Sequence, residues 1–371
     1  MCKQQRCTNM NDKKKVILPC KINTNLGIEC WTFYKMAIIQ TLPEHMNWLS
    51  SHMNIFCGEL GEGVYFGKDN RPHDSAYYSD ILDIEEIDIY SVAPNKIAER
   101  IKHELNNDFY YVVFLRNEEG FSHEIFIYGY DDSNHSFNTV AIGENGHFCE
   151  TLISYETVIE QYCNNYEYLK LNPDQYYCKS NFGYVMYRMK PNTKYIRKNY
   201  AVEYFDKLYY EVYGTRTDLC YSDDYNQYLT PCSFYTGVTC LIRVNEKINA
   251  LANSSDQERK NIELYIVKNN LFKLYEYRLL LNNSMKWYEE QWRIDDPNIL
   301  SLHNEYSSCC YDMERTCMML LKYIYTNDQD LLYRIQDELM LQYAKERKIL
   351  CEYVNVIREF YNSQVLSKKF E

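Results

Sequence analysis

From residue 195 onward the sequence leaves little choice but helix. The stretch "LLYRIQDELMLQYAKERKIL" repeats apolar side chains at i, i+3 and i+4 and keeps one face charged, the pattern of a bundle helix with one solvated side. Similar runs predict long helices over 195–213, 259–292, 299–325 and 329–361. Between the first two, "YGTRTDLCYSDDYNQYLTPC" has no helical period and reads as an irregular insertion.

Upstream of Pro191 the period changes. Residues 109–115, 123–130 and 137–142 are rich in Val, Ile, Tyr and Phe. The turn sequences "RNEEG", "DDSN" and "GENG" bound them, which predicts three strands. Shorter strands are expected at 64–66 and 182–190, and helices at 31–42, 94–105 and in "YETVIEQYCNNY". Pro43 supplies a stop for the first of these helices, and Pro94 sits in the first turn of the second. The expected layout is a disordered N-terminus over 1–15, an α+β domain over 16–190 and an all-helical C-terminal domain over 191–371.

Charge and cysteine usage narrow the function. A formal net charge of −12 argues against bulk attraction to nucleic acid or to an anionic membrane. No apolar run is long enough to span a bilayer. "MCKQQRCTNMNDKKK" lacks the apolar core of a secretory signal, so a cytoplasmic location is expected. The 15 cysteines are an odd number with no Cys-x-x-Cys pair, which favours neither a zinc site nor a disulfide framework. Most should be small core residues. The 39 tyrosines are read first as core and surface filler, with an aromatic ligand groove as the alternative.

One cysteine stands apart. In "GIECWTFYKMAII", Cys30 falls at the start of an expected helix. Unpaired N–H groups and the helix dipole at such a position stabilise a thiolate, and the same groups can donate to an oxyanion. A thiol of this kind needs a base, most often histidine. His123 opens the strand-like segment "SHEIFIYGYDD", where a sheet would hold its ring rigidly. The plainer alternatives are a buried structural thiol and a satisfied strand-end histidine.

"GIECWTFYKMA" resembles the Cys-Trp-plus-helix segment of papain-like cysteine peptidases. "SHEIFIYGY" resembles their histidine strand, including a Gly-Tyr pair six and seven residues after the histidine. The glycine-rich segment after the first helix and "HEIFIYGYDDSNHSF" look closer still to the N-terminal domain of the butirosin-biosynthesis-type acyltransferases. The motifs cover about residues 16–190. The resemblance implies a papain-like N-terminal domain and transfer of an acyl group from a carrier-protein thioester to a small amine. The setting would be thiotemplated natural-product biosynthesis, through an acyl-Cys30 intermediate. It implies no cofactor of the chain's own; phosphopantetheine would be presented by the acyl or peptidyl carrier protein.

Departures from the family leave parts of the site open. The position expected to carry an orienting Asn or Asp is Ile142. Glu144 is the first substitute, with Asn138, Asn145 or no third member as alternatives. Thr24 stands where an oxyanion-stabilising Gln is expected, so Asn25 is preferred and Asn23 is the alternative. Arg188, Lys190, Lys194, Arg197 and Lys198 form a run without an acid, read either as a solvated linker or as a docking patch for the carrier. A peptidase or amidase using the same Cys30 and His123, and a non-catalytic binding module, are the competing functions.

Overall fold

A computed structural model describes residues 13–22, 30–43, 45–58, 63–67, 78–142, 148–173, 185–192, 200–221, 229–254 and 257–366. In chain order the elements begin with β1 (Lys15–Ile17), α1 (Cys30–Ile39), α2 (His45–His52), β2 (Asn54–Gly58), β3 (Val64–Gly67) and β4 (Leu82–Asp88). Next come α3 (Ile97–Asn106), β5 (Tyr110–Arg116), β6 (Ser122–Asp131), β7 (Ser136–Ile142), β8 (Phe148–Ser154), α4 (Tyr155–Leu171) and β9 (Val185–Pro191). The remainder is α5 (Ala201–Tyr213), β10 (Thr215–Tyr221), β11 (Leu229–Thr236), α6 (Cys240–Asn253), α7 (Gln257–Trp292), α8 (Pro297–Thr326) and α9 (Gln329–Phe360). The protein is α+β, with antiparallel sheets and a largely helical C-terminal part.

Contacts divide the chain into two compact units, Met1–Ile22 with Tyr78–Tyr195, and Asn23–Tyr77 with Ile196–Glu371. The division is therefore not the single cut expected after residue 190. The segment carrying α1, α2, β2 and β3 belongs with the C-terminal helices. Nor is that C-terminal part all helical. The insertion read as irregular is the hairpin β10–β11, and β11 pairs with β2 to make a four-stranded sheet in the order β10-β11-β2-β3. The N-terminal expectation also shifts. Residues 1–12 lie outside the described residues, but Lys15 already opens β1 and the Lys13 carbonyl accepts from the Tyr130 hydroxyl at 2.5 Å.

The first unit is built on an antiparallel sheet in the order β4-β9-β5-β6-β7-β8, with β1 added beside β6. β6 is ten residues long. It pairs with β5 over its first half and with β1 over Gly129–Asp131. Gly129 allows this: a Cβ there would lie 2.6 Å from the Val16 carbonyl oxygen, so any side chain would push β1 away. Helices α3 and α4 pack against β5. The Tyr162 hydroxyl of α4 donates to the carbonyls of Ile89 (2.8 Å) and Val92 (3.2 Å), and Ser154 caps α4 through the Thr157 amide.

In the second unit the long helices pack through Leu, Ile and Tyr side chains, with ionised groups buried among them. Arg278 of α7 donates through Nε to Glu346 of α9 at 2.7 Å, and both are at most 2% exposed. Burial opposes the arginine's charge, but the Glu346 carboxylate outweighs it and holds Arg278 protonated. On α5, Lys207 and Glu211 are buried one turn apart. Tyr277 donates its hydroxyl to Glu211, and the Lys207 Nζ sits 5.4 Å from the Tyr277 ring centre with no hydrogen-bond acceptor among the described residues. Burial pushes the Glu211 carboxyl up to about 7 and the Lys207 ammonium down to about 8.

The signs of these two shifts make a prediction. Glu211 contributes stability below its ordinary value of 4.5 and loses it as pH rises toward about 7. Lys207 contributes stability above 10.5 and loses it as pH falls toward about 8. Together they help least between pH 7 and 8. The double variant Lys207→Met with Glu211→Gln, which keeps an acceptor for Tyr277, should gain on the order of 1 kcal/mol or more there. The gain should shrink on either side in urea unfolding curves run across pH; a constant difference would mean the pair does not titrate.

Candidate active site

Cys30 is the first residue of α1, as its position after a loop and before a Pro-terminated run predicts. From Thr32 to Ile39 every residue of that helix is buried, including Lys35. A helix apolar on all sides seeks full burial, and "FYKMAII" meets that condition with one exception. The residues before it, among them Asn23, Thr24 and Asn25, lie outside the described residues, and so do Glu144 and Asn145.

His123 is the second residue of β6 and faces Leu115 across the β5 ladder. Its side chain is 28% exposed, and its ring lies nearly parallel to that of Phe121, centres 5.7 Å apart. Nδ1 is 2.8 Å from the Glu124 carbonyl oxygen. A carbonyl only accepts, so Nδ1 carries a proton and Nε2 is the nitrogen that exchanges one. Nδ1 also lies 3.6 Å from the Glu124 carboxylate. The strand end is anchored from α4, where buried Asn165 accepts from Ser122 at 3.2 Å and donates to the Phe114 carbonyl at 3.4 Å.

Cys30 belongs to the second unit and His123 to the first. Asn138 is not a partner for the imidazole. It pairs across the ladder with Gly129, six residues along β6 from His123, which is about 20 Å at the rise of a strand. Ile142 ends β7, paired with Phe148. Two residues of this neighbourhood escape a reading of the sequence, Glu124 and Asn165. The available signal for Glu124 is its parity, since it shares a period-2 face with buried Phe126 and Tyr128.

The basic run needs a correction at Arg188. Rather than standing free for a carrier, its guanidinium donates to Glu85 on β4 and to Glu104 on α3 at 2.9 Å. Glu104 is 1% exposed and also holds Arg100 at 2.7 Å. Lys190 lies on the same face of β9, its Nζ 4.2 Å from the centre of the Phe109 ring, with the Arg188 guanidinium 4.6 Å from it. Lys194, Arg197 and Lys198 lie outside the described residues.

Most of the described cysteines are the core residues expected. Burial pushes Cys309, Cys310 and Cys317 up to about 12, and burial followed by the Glu150 charge does the same to Cys20. Among the described residues no group of three or more His, Cys, Asp or Glu side chains could hold a metal ion, and no helix is long and apolar enough to cross a membrane. No protein-family model matches the chain, and comparison with curated proteins finds no match.

If Arg188 serves the sheet rather than a partner, Arg188→Met should lower the unfolding free energy by about 2 kcal/mol through the loss of its hydrogen bonds to two carboxylates. Lys190→Ala should change it by less than about 0.5 kcal/mol. Urea denaturation of the two variants measures the difference.

Proposed function

We propose that the protein is a cysteine-dependent acyltransferase that forms an amide, with Cys30 as nucleophile and His123 as its base. The observation that carries this is the placement of Cys30 at the first turn of a helix buried on all sides, in a chain whose most suitable histidine opens a strand with Nδ1 already protonated. The helix N-terminus favours a thiolate, and the imidazole keeps Nε2 to receive the proton. The papain-like resemblance of both segments supports the same pairing.

In the proposed reaction the Cys30 sulfur attacks the carbonyl carbon of a carrier-bound thioester. The oxyanion is held by backbone N–H groups at the start of α1, with Asn25 as an added donor. The carrier's phosphopantetheine sulfur leaves as a thiol with the proton that His123 took from Cys30, and the acyl group stays on Cys30. A small amine then attacks, His123 takes its proton, and the amide departs with the thiol restored. The first step exchanges one thioester for another and is close to balanced. Aminolysis is downhill. Water must be kept from the acyl-enzyme, or the outcome is hydrolysis. With Arg188 committed to the sheet, attraction of an acidic carrier would rest on the other basic residues of the run.

Intact-mass measurement after exposure to an acylated carrier protein tests this directly. An adduct of the acyl mass, absent in Cys30→Ala and discharged by an added amine to give an amide, is expected. Discharge to the free acid alone would indicate a hydrolase on the same residues. No adduct, together with cleavage of peptide substrates, would indicate a peptidase, and inactivity in both assays a binding module.

A further inference from the structure

Glu124 is 4% exposed, on a strand face it shares with Phe126 and Tyr128, where a carboxylate is costly unless it meets a positive charge. His123 lies beside it, with Nδ1 3.6 Å from Oε2 and the Glu124 backbone carbonyl 2.8 Å from the same nitrogen. We infer that Glu124 is a positioning residue for His123. Its carbonyl fixes the ring with Nδ1 protonated, and its carboxylate stabilises the imidazolium formed when a proton passes from the Cys30 sulfur to Nε2. This role rests on the Cys30–His123 chemistry proposed above and supplies the orienting acid that Ile142 cannot.

The charges on neighbouring elements agree with it. Tyr187 on β9 and Glu86 on β4 lie on the Glu124 side of the sheet. Burial, then the charges of Glu86 and Glu124, keep the Tyr187 hydroxyl protonated. Glu86 is exposed and has the same sign as Glu124, so it too favours a cation at His123. The positive group on the adjoining strand is Arg116 of β5, whose guanidinium is stacked 3.6 Å from the centre of the Tyr168 ring on α4. Glu124 faces Phe114 across the ladder, an apolar neighbour.

The test uses the full chain and peptide-resolved mass spectrometry of iodoacetamide alkylation at neutral pH. It compares the wild type with His123→Ala, Glu124→Gln and Glu124→Asp, each checked for folding by circular dichroism. Glu124→Gln should slow alkylation of Cys30 about tenfold, within the range for coupling between groups in contact. Glu124→Asp should fall between that and the wild type. Exposed Cys149 on β8 should react at one rate in all four proteins. A merely structural carboxylate would alter melting without touching Cys30. If His123→Ala slows Cys30 and folded Glu124→Gln does not, the positioning role is wrong and the Cys–His pair stands. If His123→Ala has no effect, the pair itself falls. Should Glu124→Gln fail to fold, Glu124→Asp decides, and a wild-type rate for it overturns the role.

Discussion

An arginine cannot give up its proton, so burying one forces the rest of a structure to bring it an anion. Arg278 meets this constraint in the core of the helical unit. Its Nε must face Glu346 across two helices, and its Nη1 turns back to the Leu274 carbonyl at 3.0 Å. One turn before Glu346, Gln342 donates to Thr316 of α8 at 3.2 Å. These contacts fix the axial register of α7, α8 and α9, which Leu and Ile alone would leave free to slide by a turn. The cost of removing both charges from water makes the pair a poor source of net stability. Its effect is selection among packings. In the first unit Glu104 plays the same part, holding Arg100 of its own helix and Arg188 of β9, and so fixing α3 over the sheet.

Helices and strands with many local repeats were plain in the sequence. The runs predicted at 259–292, 299–325 and 329–361 differ from α7, α8 and α9 by only a few residues at each end. Period alone could not show pairing between distant segments. β3, four residues long, was expected at 64–66, but β2, five residues long and ending on Gly58, gave no strand signal, and its partner β11 lies more than 150 residues later. β10 and β11 gave no signal because polar residues run through both, and Pro231 falls inside β11. The grouping of α1 and α2 with the C-terminal helices follows from those long-range contacts, which no local window contains.

The same limit governs the site. The positions of Cys30 and His123 in their elements were legible because each sits where a change of pattern occurs, near the start of a helix and of a strand. Glu124 was hidden by the alternation of its own strand. "SHEIFIYGY" places His123 and Glu124 on opposite faces, and a strand covered on one side only would have left Glu124 in water. Both faces of β6 carry buried residues here, so the usual inference from alternation fails. Arg188 was misjudged for a related reason. In the sequence it belongs to a basic run, but Glu85 pairs with it directly across β4–β9 and cancels it. Charge counted along the chain is not charge presented to a partner.

Fifteen thiols in one chain raise a problem of chemical selectivity, and the fold addresses it from the other side. Activating Cys30 would achieve little if the remaining cysteines competed for the same electrophile. Cys309, Cys310 and Cys317 are buried and Cys20 is half-buried, and all four are pushed up to about 12, first by desolvation. At neutral pH such a thiol is ionised about once in 10⁵ molecules, and the thiolate is the reactive form. Cys57 and Cys240 are shifted the same way, first by burial. At these positions burial does two jobs: it fills the core with a small polarisable side chain, and it withdraws those thiols from competition, while Cys149 stays exposed. For the nucleophile proposed at Cys30, the competition that remains comes from more exposed thiols such as Cys149.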